Sequence, residues 1–183
     1  MKTAIATWLL VTLSLARPPA ADEEMAPYAH VVAAEGGRYY LKLVPKKGTR
    51  DDGSATVYSV RAGTVDRLHY QTSGWFAFEA FLSYNGEHIV RLGNWPRGHK
   101  PSTKDLAIAF YTRGRLVKRY STADLIKNPA KIGHSVSHYQ YKRKTLGFVR
   151  PYSTKFALIS ADGIRYTFDV TTGQIVEARP TKP

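Results

Sequence analysis

Two histidines four residues apart, His134 and His138, are the first residues of this sequence whose type and spacing could do chemistry. On a helix, positions i and i+4 share a face and could hold one transition metal. On a strand they share a face too, but stand about 13 Å apart at about 3.3 Å per residue, too far for one ion. The local sequence SVSHYQY favours the strand. No HExxH is present and no third ligand follows from the spacing, so polar, hydrogen-bonded roles are the ordinary expectation.

Glu79 is a second candidate. It sits in the middle of WFAFEAFLS, on the side carrying Trp75, Ala77 and Phe81. An unpaired carboxylate among aromatic rings has a raised pKa, which suits a general acid. Glycoside hydrolysis would need a second carboxylate across a cleft, and Asp66, Asp105 and Asp169 qualify by type alone. Pairing with an arginine such as Arg91 or Arg119 is the commoner fate, because charges in half-buried sheets are paired. Nucleophile signatures are lacking: there is no Gly-x-Ser-x-Gly, no cysteine and no triad order around HSVSH. No glycine-rich phosphate loop opens a helix, and no cofactor is expected. These motifs favour a non-catalytic protein. The alternative is a small envelope hydrolase using Glu79, or His134 and His138 with a metal.

Basic residues interleaved with aromatics are the third feature. Tyr139, Tyr141, Lys142, Arg143 and Lys144 are followed by Arg150, Tyr152 and Lys155. A second group is Arg113, Arg115, Lys118, Arg119 and Tyr120. Aromatics beside cations suit stacking on sugars or bases with contacts to anionic groups. An ordinary solvated sheet face would carry the same residues. Lysine and arginine total 27 against 14 aspartate and glutamate, a formal charge of +13, which attracts polyanions. The expected ligand-binding residues are therefore Tyr139, Tyr141, Lys142, Arg143, Lys144, Arg150 and Lys155. The expected partner is an anionic envelope polymer, a lipid head group or a carbohydrate.

The elements that must position these residues read as strands. From Gly74 to Tyr120 the chain shows two strand–turn–strand units. WFAFEAFLS, the turn Asn85-Gly86 and HIVRLGNW are followed by LAIAFYT, Arg113-Gly114 and RLVKRY. Asn-Gly between apolar runs is a strong hairpin signal. In RYYLKLV, Tyr39, Leu41 and Leu43 point one way and Arg38, Tyr40, Lys42 and Val44 the other. IRYTFDV alternates likewise, with Ile164, Tyr166, Phe168 and Val170 on one face. Phe78, Leu82, Ile108, Phe110, Tyr166 and Phe168 are the expected core. Ser121 to Asp124 resembles a capping box, so one short helix is expected before Asn128-Pro129. Lys142-Arg143-Lys144 reads as an exposed loop or edge. AEGGRYYLKL, SYNGEHIVRL and SADGIRYTFD form a weak repeat around Gly37, Gly86 and Gly163, without a fixed period. The fold class expected is all-β, antiparallel hairpins in a meander arranged as a sandwich, partial barrel or propeller-like sheet.

The N-terminus has the form of a leader. Lys2 precedes the apolar run Ala4 to Leu15, and Ser14-Leu15-Ala16 fits the small-x-small rule for cleavage after Ala16, with Ala20 or Ala21 as second choice. The run is shorter than the about 20 apolar residues that span a bilayer. Residues 17–27 are a flexible lead-in and 28–180 a single β-rich domain. The roughly 165 remaining residues suffice for one core without disulfides. Export makes nucleic acid the less expected polyanion and places the protein in the periplasm or outside the cell.

WFAFEAFLSYNGEHIVRLGNW, DLAIAFYTRGRLVKRYSTADLI and YTFDVTTGQI together resemble segments of small exported bacterial proteins of β-meander type. The resemblance covers most of the chain after the leader. It implies a bacterial, exported, β-rich protein and assigns no activity to any position. An interaction module working through an exposed edge strand is a further alternative.

Overall fold

Glycine turns and alternating apolar residues cut the chain into antiparallel strands. The computed structural model describes residues 25–149 and 154–181. The proposed leader, most of the lead-in, Arg150 and Tyr152 lie outside them. Strands β1 (His30–Ala33), β2 (Tyr39–Pro45), β3 (Gly53–Ser59) and β4 (Arg67–Ser73) form a first sheet. β5 (Ala80–Leu82), β6 (His88–Leu92), β7 (Leu106–Thr112) and β8 (Arg115–Ser121) form the second. β9 (Lys142–Phe148), β10 (Lys155–Ser160), β11 (Ile164–Asp169) and β12 (Ile175–Pro180) form the third. Each sheet is a meander of chain neighbours, and no barrel closes among the described residues.

The three sheets stack. Leu41, Leu43, Ala55 and Val57 of the first meet Ile89, Ala109 and Tyr111 of the second. Val90, Leu92, Ile108 and Phe110, on the second sheet's other face, meet Phe156, Leu158, Tyr166 and Phe168 of the third. The middle sheet is thus covered on both faces, which is why LAIAFYT is a nearly continuous apolar run and does not alternate. In the outer sheets β2 alternates as expected, whereas β3, β10 and β11 each bury three consecutive residues. In β2, Leu41 and Leu43 are buried while Lys42 and Val44 face water. Five of the six expected core residues are buried, and Phe78 is half-buried.

Two stretches depart from the strand expectation. In WFAFEAFLS only Ala80–Leu82 is strand. Trp75, Phe76 and Ala77 are consecutive buried residues in the crossing from the first sheet to the second. Their backbone bonds go sideways: Phe76 N–H donates to Asp51 O at 2.9 Å and Phe78 N–H to Asn94 Oδ1 at 3.1 Å. The aromatics are there to fill a corner between layers, which needs no pleat. Likewise, SVSHYQY is not a strand but a tight loop held by isolated bridges, following a 3-10 turn at Pro129–Lys131. The short helix does form, α1 (Thr122–Leu125), with the reciprocal Ser121–Asp124 capping box. No described helix is long and apolar enough to cross a membrane.

The repeat glycines are not equivalent. Gly37 and Gly86 sit in the first hairpins of their sheets, whereas Gly163 lies in the second hairpin of the third sheet. Antiparallel alternation has a more useful consequence. Segments 46–52, 74–79, 93–105, 122–141 and 161–163 all emerge at one end of the stack, and the longest loops are among them. That end is where loops can build a site.

Candidate functional site

The loop end contains a recess of about 570 Å³ whose wall carries four cations: Arg50 from the β2–β3 loop, Arg91 from β6, and Arg97 and Lys104 from the β6–β7 loop. Asp51 and Asp105 are the acids in the same wall. Trp95 stands at the lip with its side chain largely exposed, at 58%. Burial lowers the Arg50 pKa, and the Arg97 guanidinium lowers it further, against the opposing pull of Asp51. Arg91 lies 5.1 Å from the Trp75 ring and donates to Phe76 O at 3.4 Å. Its Nε is buried with no hydrogen-bond partner among the described residues. Planar guanidinium groups in a recess wall suit the recognition of an anion by paired hydrogen bonds.

Asn94 holds this recess together. Its Nδ2 donates to Asp51 Oδ1 at 2.8 Å and to Phe76 O at 3.3 Å, while its Oδ1 accepts from Phe78 N–H. One side chain therefore ties three segments of the loop end. Behind it, the β6–β7 loop is laced to the β8–β9 connection. Gly98 N–H donates to Ser137 O at 2.8 Å, and Tyr139 N–H to Pro96 O at 3.3 Å. Asp162, buried, accepts from the N–H groups of Lys127 and Asn128 at 2.7 and 2.9 Å. Burial alone would raise its pKa, but the Ser160 hydroxyl and these N–H groups outweigh that and hold it low.

A smaller recess of about 230 Å³ adjoins the first and shares Trp95 and Pro96 with it. Its other side is lined by Ser135, His138, Gln140 and Lys142. Lys142 is committed to an ion pair with Glu79, so the lining is close to neutral. This pairing resolves the fate of Glu79, which takes a lysine of the third sheet as its partner and not Arg91 or Arg119.

The expected basic–aromatic cluster is dispersed by the fold. Tyr139 and Tyr141 are buried. The Tyr139 hydroxyl donates to Asp105 Oδ2 at 2.8 Å, and that of Tyr141 donates to Gly93 O at 3.1 Å. They brace the cleft from behind, and burial pushes the Tyr139 hydroxyl up to about 12. Arg143 and Lys144 are exposed on β9, the edge strand of the third sheet. Lys155 starts β10 and pairs with Asp169, five residues from the Ser160–Lys142 pair and so about 17 Å along the strand. Arg150 and Tyr152 fall outside the described residues.

His134 and His138 sit on the two arms of one tight turn and take different ring neighbours. The His134 ring packs on His99 at 4.9 Å, and His138 stands edge-on to Trp95 at 5.9 Å with Nδ1 2.8 Å from Ser137 Oγ. Among the described residues no three histidines, aspartates or glutamates gather to hold a metal. In the second basic group, Arg113 pairs with Glu87, and Lys118 lies 5.7 Å from the Tyr120 ring. The β12 edge is exposed along its length, but Glu177, Arg179 and Pro180 give it the charge and proline that discourage pairing.

The residues of the larger recess are the ones sequence reasoning passed over. The signal was there in GNWPRGHK, a tryptophan beside Pro-Arg in a turn-rich loop, and in KKGTRDDGS, an arginine beside acids. Neither is dense enough alone, because the cations come from three separate segments. No protein-family model and no curated protein matches this chain, so the reading of the site rests on its own geometry.

Proposed function

We propose that this is an exported, non-catalytic envelope protein that binds an anionic, carbohydrate-containing partner at its loop end. The carrying observation is the convergence of Arg50, Arg91, Arg97 and Lys104 on one recess with Trp95 at its lip. Guanidinium forks suit carboxylate, sulfate or phosphate groups. The indole offers a flat apolar face with a polar edge, which suits a sugar ring. The net positive charge of the chain adds long-range attraction toward such a polymer.

Heparin retention across a salt series tests the site. The variant Arg50→Ala/Arg97→Ala/Lys104→Ala should elute at lower salt and flatten the salt dependence by roughly one unit of slope per lost contact. The variant Arg143→Ala/Lys144→Ala, on the β9 edge, should stay close to wild type. The β9 variant should melt near the wild-type temperature, since exposed charges add little to folding. Because Arg50 is half-buried, the exposed pair Arg97→Ala/Lys104→Ala should repeat the retention effect without a change in melting. A cleft variant with the wild-type slope would remove the recess as the binding site.

Export has its own test. Material secreted by the native host should begin at Arg17 or within five residues after it, by N-terminal sequencing or intact mass. Exported protein that retains Met1 would sink the leader reading.

A further inference from the structure

We infer that a recess at the other end of the first sheet, where the β1–β2 and β3–β4 turns lie, is a second anion site that takes a phosphate or sulfate group. It is separate from the loop-end recess and does not rest on the binding reading above.

Arg38, Arg61 and Arg67 stand in the wall of this recess of about 320 Å³, with Tyr39 and His69 beside them. They come from three places: the residue before β2, the β3–β4 connection and the first residue of β4. Each is fixed through its backbone. Val60 N–H donates to Arg38 O at 2.9 Å, Arg61 N–H to Asp66 Oδ1 at 3.1 Å, and Ser59 Oγ to Arg67 O at 3.4 Å. Their side chains are exposed, and none has an ion pair among the described residues. The fold therefore anchors three guanidinium carriers and leaves their donors facing one space.

No aspartate or glutamate lines that space. The nearest acids are engaged. Glu87, beside His69, accepts from Arg113 through both carboxylate oxygens, and His69 Nε2 stands 3.7 Å from it. Arg113 holds the Glu87 pKa low, so that charge is already balanced. Even with Asp66 counted, three guanidinium groups meet one carboxylate. A carboxylate ligand would occupy one fork. A phosphate group carries a charge of about −1.5 to −2 and three acceptor oxygens, which matches forks arriving from three segments. The recess is at the small end of the about 300–1,000 Å³ range of ligand pockets, enough for the group and the first atoms of its carrier. Between it and the loop end runs the whole of β3, Gly53 to Ser59, about 20 Å. One small ion cannot touch both.

Titration with inorganic phosphate, glucose 6-phosphate and acetate tests the site, followed through the arginine Nε–H resonances by heteronuclear NMR in phosphate-free buffer. With inorganic phosphate, the resonances of Arg38, Arg61 and Arg67 should move on one saturating curve. That of Arg143, exposed on β9, should stay in place. Acetate should bind about tenfold more weakly, the scale of one charged hydrogen bond. Arg38→Gln, Arg61→Gln and Arg67→Gln should each weaken phosphate about threefold, the scale of an exposed ion pair. Arg50→Ala/Arg97→Ala/Lys104→Ala should leave the curve unchanged. Glucose 6-phosphate binding as tightly as inorganic phosphate supports a site for an ester-borne group, and its exclusion supports one for the free ion. Three unrelated curves, an equal shift at Arg143, or equal affinity for acetate overturns the second site. The loop-end reading then stands or falls on the heparin series alone.

Discussion

Phe110→Ala should cost about 3–5 kcal/mol of unfolding free energy, the usual range for truncating a buried phenylalanine. Phe110 is fully buried on β7 and faces the third sheet. Its ring centroid lies 5.1 Å from that of Phe168, which in turn contacts Tyr120 and Tyr166. Truncation opens a void at the centre of the interface between the second and third sheets, where neighbours from two layers cannot both collapse inward. Against a typical total of about 5–15 kcal/mol, that loss is large. Urea unfolding monitored by circular dichroism would measure it, with a lower midpoint and an unchanged slope. Leu116→Ala on the exposed side of β8 is the control, expected within about 0.5 kcal/mol of wild type. A loss under about 1 kcal/mol at Phe110 would mean that the third sheet does not pack over this position.

The second large effect is expected at Gly93→Ala, costing about 3 kcal/mol or more by overpacking. A Cβ added there would stand 1.7 Å from Leu106 O and 2.7 Å from Leu106 C. Both are backbone atoms of β7, so no rotamer change can yield. The strands cannot part cheaply either, because Gly93 N–H donates to Ala107 O at 3.0 Å. Relief would require opening the β6–β7 ladder at the point where the chain leaves for Trp95, so the variant should lose heparin retention along with stability. Differential scanning calorimetry would show the drop in Tm. Gly63→Ala, with open space around its Cβ, should be neutral or slightly stabilising. If Gly93→Ala melted with the wild type, the close approach of β6 to β7 would be wrong.

Local periodicity made most of the strands legible. The alternation in RYYLKLV, the strand at IRYTFDV, the Asn85-Gly86 turn and the Ser121–Asp124 cap each depend on residues within a few positions, and each formed, although Thr167 on the far face of IRYTFDV is buried too. Where local pattern misled, a neighbouring layer had intervened. WFAFEAFLS looked like a strand because aromatics favour pleated surfaces, yet Trp75 and Phe76 are buried by the corner they turn. Glu79 was legible as a carboxylate needing a cation, but its partner, Lys142, is 63 residues away and belongs to another sheet.

By itself, then, the sequence determined an all-β chain of antiparallel hairpins with one capped turn of helix, and a surplus of positive charge. Those properties follow from side-chain period, turn chemistry and composition, which are local or additive. Tertiary structure alone decided which sheet lies in the middle and which cations share a wall. Sheet order fixes which faces are covered, and so turned Tyr139 and Tyr141 inward as braces. It also gathered Arg50, Arg91, Arg97 and Lys104 from separate segments around Trp95. Convergence of that kind depends on long-range register and layer packing, and no spacing along the chain encodes it.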